Sequence, residues 1–262
     1  LWAKSEQDDA LEVRWLRQIA PRFDGFSERL RWPPAGGGWS GPYEYRQEGD
    51  VHMELWYAWT AQGTLTTMSR TTLRGTMEQG LALLHEADLQ HNWLPCLKEC
   101  IADWSDSVPA LVVDLRAQIP GIFAFSTMVH RVFVEHTADD GGRGVAILDW
   151  TPEEAHVADG RFCGMRVPDA GRMRRVPVQR SSTVLMPEGN GKFSMVLRVE
   201  QKFPKLPDFA VRTVFKMQGK VCARKMLGCI DDFEGRGYAQ RVRDDQRGIY
   251  ARMHRMMAEE GH

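Results

Sequence analysis

The stretch FSMVLRVEQKFPKLPDFAVRTVFKMQGKVCARKMLGCI, residues 193–230, decides the fold. Its first half alternates, with Phe193, Met195, Leu197 and Val199 on one side and Ser194, Arg198 and Glu200 on the other. That is the period-two pattern of a strand with one buried face. A proline-rich connection, Lys202-Phe203-Pro204-Lys205-Leu206-Pro207, follows. The period then becomes helical. Asp208, Arg212, Lys216 and Lys220 form a polar side, and Ala210, Val211, Val214, Phe215, Met217, Val221, Cys222, Met226 and Cys229 are assigned to the opposite, apolar side. A helix over 206–230 would measure on the order of 37 Å, enough to cross a whole sheet.

Upstream, the sequence supplies the sheet. Strand patterns occupy 178–186 and 144–150, and others occupy 126–136 and 111–115, separated by turns such as Asp139-Asp140-Gly141-Gly142. Val51, Met53, Leu55, Tyr57 and Trp59 alternate with polar neighbours, and Gln62-Gly63 turns the chain into a partner strand over 65–73. Gly75-Thr76 introduces a helical stretch from Met77 to Asn92, and Pro95 ends it. Further upstream, Leu11, Trp15, Leu16 and Ile19 predict an amphipathic helix over 8–20. The Pro- and Gly-rich run from Trp32 to Pro42 reads as a linker. Three parts result: 1–42 as helix and linker, 43–232 as the main domain, and 233–262 as a charged, Met-rich helical tail.

Two stretches resemble the START lipid-binding family. In one, the helix bearing Leu83-Leu84 and Asp88-Leu89 runs into His91-Asn92-Trp93-Leu94-Pro95. In the other, Val184-Leu185-Met186-Pro187, the Gly189-Asn190-Gly191 turn, the strand to Glu200 and the Lys202 to Pro207 segment precede the long helix. The resemblance spans 43–230 and implies an α+β helix-grip fold, a curved antiparallel sheet wrapped around the C-terminal helix. It also implies an internal apolar cavity for a lipid ligand, phospholipid or sterol, with no cofactor and no catalysis. The inward faces of the last strand and the grip helix then supply the cavity wall: Phe193, Met195, Leu197, Val199, Val214, Met217 and Val221. The family's Arg-Asp-Phe motif is absent, with Phe125-Ser126-Thr127-Met128 near its place. Asp114 and Arg131 take strand positions suited to a buried pair that orients a lipid head group.

Composition narrows the alternatives. Lys plus Arg number 34 against 35 for Asp plus Glu, a net charge of -1, so no global field draws the chain to nucleic acid. The cysteines, Cys96, Cys100, Cys163, Cys222 and Cys229, lack zinc or disulfide spacing and point to a reducing compartment such as the cytoplasm. His130 and His136 are too far apart in sequence to make a metal site without a third ligand, so no metal is expected. No apolar run reaches the roughly 18–20 residues that span a bilayer; the open sequence start at Leu1 leaves room for a removed targeting segment. No Gly-x-Ser-x-Gly elbow and no phosphate-binding glycine loop occurs. Arg172 to Arg175 and Arg236, Arg241, Arg243 and Arg247 could meet an anionic membrane surface transiently. A competing reading makes the chain a scaffold subunit that docks protein partners through its Trp-bearing N-terminal helix and its tail. A third, a cyclase- or hydrolase-like enzyme on the same fold, would need an acid or base at the cavity centre.

Overall fold

The computed structural model describes residues 32, 34, 38–105, 110–119, 123–137, 142–154, 157, 159–204 and 206–258. The helix expected over 8–20 lies outside them. The long strands are β1 (Ser40–Gln47), β2 (Val51–Trp59), β3 (Leu65–Arg74), β4 (Leu97–Trp104), β5 (Ala110–Ile119), β6 (Phe123–Thr137), β7 (Arg143–Trp150), β11 (Val178–Gly189) and β12 (Lys192–Gln201). They form one antiparallel sheet in the order β1-β2-β3-β12-β11-β7-β6-β5-β4. The last strand in sequence therefore sits in the middle of the sheet. β12 pairs with β3 on one side, Leu197 opposite Ser69, and with β11 on the other, Leu197 opposite Thr183.

The alternation read from the sequence fixes which face is buried. Helix α1 (Met77–His85) starts with a capping box in which Thr76 accepts from the Gln79 backbone and Gln79 caps the Thr76 backbone in return, satisfying two otherwise orphaned donors. It lies directly on the sheet: a Cβ added at Gly80 would come within 2.8 Å of the Phe193 ring. The expected helix over 77–92 is split, because after His85 the chain tightens into a 3-10 turn, Ala87–Asn92. Its end is pinned by the Trp93 indole, which donates to the Leu83 carbonyl at 3.0 Å.

The long helix α2 (Asp208–Asp231) matches its expected span closely. It packs most closely on β1 and β2, and the approach is tight enough that a Cβ at Gly219 would overlap Leu55. The face of the sheet beneath α1 and α2 is called the inner face here. Leu73, Leu81, Leu83, Phe193, Ala223, Met226 and Ile230 fill one end of it and are buried together. Each large side chain sealed there stabilises the fold by roughly 1.5–3 kcal/mol.

The tail folds back. Helices α3 (Tyr238–Asp244) and α4 (Ile249–Ala258) both pack on α1, and α4 also reaches β7. Their anchors are buried: Tyr238, Ile249, Tyr250, Met253 and Met256 belong to the main core. On the outer face of the sheet, the short strands β8 (Arg161–Phe162) and β9 (Met165–Arg166) form a hairpin. Its Phe162 and Met165 cover Val112 and Met128. Strand β10 (Arg174–Arg175) runs parallel to β6.

Candidate functional site

Cross-strand register turns the inner face into rows, since directly opposed residues share a face. One row runs Leu55, Ser69, Leu197, Thr183, Ile147, Phe133 from β2 to β6. The next runs Tyr57, Thr67, Val199, Ser181, Asp149, Arg131, Leu111 and Trp104 from β2 to β4. Phe193 and Met195, toward one end of β12, are buried, whereas Leu197 and Val199 further along are only half-buried. A central strand beneath two helices would seal these side chains if the interior were solidly packed. The inner face is thus less completely covered beside the second half of β12 than beside the first.

The polar centre of that face is an ion pair. Arg131 donates through Nε to Asp149 Oδ1 at 2.8 Å and through Nη2 to Oδ2 at 3.0 Å. Its Nη1 donates to the Leu84 carbonyl at 2.9 Å, tying the sheet to the end of α1. Burial disfavours the Arg131 charge, but the adjacent Asp149 carboxylate and its hydrogen bonds outweigh that, so the guanidinium pKa is raised. A second polar link lies nearby, where Gln201 Nε2 donates to Thr127 Oγ1 at 3.0 Å.

The partner expected for Arg131 is therefore corrected. Asp114 is also buried, but it lies on the outer face. There it accepts from Ser126, from Arg175 Nη1 at 2.8 Å and from Arg116 Nε at 3.1 Å. Parity explains the separation: Leu111 stands opposite Arg131, and Asp114, three residues along the strand, points the other way. The missed partner carried a signal, because Asp149 shares parity with Val145 and Ile147 in an otherwise apolar strand.

Of the expected wall residues, the structure brings Phe193, Met195, Leu197 and Val199 onto the inner face, while Val214 is half-buried on α2. Met217 and Val221 are placed differently, 64% and 40% exposed. Each lies two residues from buried Gly219, about 200° around a helix, and so faces away from the sheet. The inward surface of α2 is instead Val211, Gly219, Ala223, Met226, Leu227, Cys229 and Ile230.

A buried cluster of titratable groups stands beside the ion pair. His85 Nδ1 lies 2.8 Å from Glu86 Oε1, and the Tyr250 hydroxyl donates to the same oxygen at 2.8 Å. The His85 ring is packed among Trp104, Phe133 and Tyr250. Burial pushes Glu86 upward, but the hydrogen bonds and charge of His85, with Tyr250, hold its pKa below the ordinary value. Burial pushes the Cys100 and Cys222 thiols up to about 12 and Cys163 to about 11. Among the described residues, no group of three or more His, Cys, Asp and Glu side chains could hold a metal ion. No helix among them is long and apolar enough to cross a membrane.

Comparison with solved structures decides the architecture. Human StAR-related lipid transfer protein 5 superposes with a TM-score of 0.58 at 13% identity, covering 84% of this chain and 99% of that one. The fold is a START-like helix grip. Human STARD10 matches at 0.54 and 11% identity, over 91% of this chain and 84% of its own. A STAR-related lipid transfer protein from Xanthomonas axonopodis matches at 0.51 and 11% identity, over 75% of this chain and 100% of that one. No sequence-family profile and no curated protein sequence matches the chain. The START-like likeness thus lies in the arrangement of the sheet and α2.

Proposed function

We propose that this chain binds a lipid or sterol-like amphipath between the inner face of the sheet and α2, without catalysing its conversion. The observation that carries the reading is the pairing of half-buried Leu197 and Val199 with the buried Arg131–Asp149 pair, which lies in the same cross-strand row as Val199, two and three strands away. An apolar body would lie along β12 and its polar group would meet the ion pair. Each methylene moved from water into such a site gains roughly 0.8 kcal/mol, so affinity needs no reactive group. The START-like neighbours, whose names describe lipid transfer, support the same assignment.

The outward face of α2 supports exchange at a membrane. Phe209, Met217 and Val221 are exposed, and Arg212, Lys216, Lys220 and Arg224 are exposed around them. An apolar stripe flanked by cations suits an anionic interface, at about 1 kcal/mol per basic residue near the surface. The test is native mass spectrometry of the purified chain followed by solvent extraction. A stoichiometric amphipath released on denaturation is expected; a protein that neither carries such a ligand nor takes one up from vesicles refutes the reading.

A further inference from the structure

The lining of the inner face narrows the ligand class. Strands β3 and β11, which flank β12, present hydroxyls rather than hydrocarbon: Ser69 and Thr71 on one side, Ser181 and Thr183 on the other. All four residues are buried. No hydrogen bond among the described residues engages these hydroxyls, and the polar atoms that are both sealed and unpartnered lie elsewhere, at Trp56 Nε1 and His85 Nε2 for example. The hydroxyls are therefore not sealed by protein atoms. A tunnel for a plain hydrocarbon chain would gain nothing from them, because a buried hydroxyl left without a partner is costly.

The arrangement has a repeat. An apolar rib, Met195, Leu197 and Val199 of β12, runs between two hydroxyl ribs, and the Arg131–Asp149 pair lies beyond the second. Neighbouring strands are about 4.8 Å apart, so the β11 hydroxyls lie roughly 5 Å from Asp149 on β7 and 10 Å from Arg131 on β6, and the β3 hydroxyls roughly 14 and 19 Å from the same two residues. The charge state matters too. Arg131 is the only buried Lys or Arg among the described residues, and Asp149 already neutralises it. A phosphate would bring an uncompensated anion into this interior, whereas a hydroxyl or carbonyl can pair with the remaining Arg131 N–H groups or the Asp149 oxygens.

We infer that the ligand is a neutral amphipath with at least two separated oxygen functions, one held by the Arg131–Asp149 pair and the other by the Ser/Thr ribs, rather than a phospholipid. This rests on the lipid-binding reading above and specifies its ligand. A site built to hydrogen-bond two separated oxygens rejects an analogue that lacks one of them, because its own polar groups are then left unpaired.

The test uses the full chain stripped of bound lipid and three probes: androstane-3,17-diol, androstan-3-ol with the same ring system, and phosphatidylcholine presented in vesicles. Binding is followed by intrinsic tryptophan fluorescence and calorimetry. The diol is expected to bind at least about 10-fold more tightly than the mono-ol. That gap should close in Thr183→Val, which keeps the side-chain shape, and in Ser69→Ala, with thermal unfolding reporting that each variant is folded. Equal affinity for the two steroids, a gap unchanged in both folded variants, or preferential uptake of phosphatidylcholine overturns the inference while leaving lipid binding in place. Binding of none of the three overturns the lipid-binding reading and this inference together.

Discussion

Replacing Arg131 by methionine tests the centre of the site most directly. The Arg131 side chain is 8% exposed and that of Asp149 11%. The change deletes both hydrogen bonds to Asp149 and the one to the Leu84 carbonyl, and it leaves the Asp149 charge buried without its counter-charge. Breaking one side of a buried pair costs about 3–5 kcal/mol. In a chain of this size each kcal/mol moves Tm by roughly 2–4 °C, so a fall of about 6–20 °C is expected. Removing both charges with Arg131→Met and Asp149→Leu should recover most of that loss, because apolar residues of similar volume substitute for a buried pair at little cost or with a gain. Ligand affinity should follow the opposite logic, remaining weak in the stable double variant. Urea unfolding monitored by fluorescence, alongside ligand binding, measures both quantities. A single variant as stable as the wild type, or a double variant that binds ligand undiminished, refutes the placement of this pair at the ligand's polar group.

Three further outcomes follow from the packing. Gly80→Leu should destabilise the fold by about 1–3 kcal/mol in denaturant titration, because its side chain must displace the Phe193 ring beneath α1. Tyr250→Phe removes a buried hydrogen bond to Glu86 and should cost about 1–2 kcal/mol at neutral pH. The Glu86 pKa is lowered in the folded state, so its stabilisation is fully present above the unfolded carboxyl pKa of about 4.3 and is lost as pH falls through the depressed folded value; the Tyr250→Phe penalty should shrink over that same acid range in unfolding curves. Lys216→Gln with Lys220→Gln should weaken partitioning onto anionic vesicles about 30-fold in co-sedimentation, with Tm unchanged, since both side chains are exposed on the outward face of α2.

The architecture was legible where period and length were both strong. Residues 193–230 show a strand period and then a helix long enough to cross a sheet, and both elements formed close to their expected limits. β1 and β4 went unread for a physical reason. They are the two edge strands, half in contact with solvent: the alternation of β1 is confined to Tyr43-Glu44-Tyr45-Arg46 directly after a Gly- and Pro-rich run, and Lys98-Glu99-Cys100 in β4 shows no clean alternation. The face of the β12 residues could be assigned because a strand has only two faces. Met217 and Val221 could not be, because α2 carries apolar side chains on most of its circumference and the facing side is set by contacts with β1 and β2. The partner of Arg131 depended on the register between β6 and β7, which places Asp149 opposite it. Tyr250 and Glu86 meet across 164 residues, a contact that no local pattern signals.

The central position of β12 also sets a timetable for synthesis. β3 ends at Arg74, yet its inner neighbour begins only at Lys192, about 120 residues later, or roughly 6–24 s at the usual pace of the ribosome. During that interval the β1–β3 sheet emerges with an unpaired edge, and β11 lacks one of its two neighbours as well. The nascent chain must cross this window shielded by a chaperone or by its own transient contacts, and slowing translation between β3 and β12 lengthens the time in which two chains can join edge to edge.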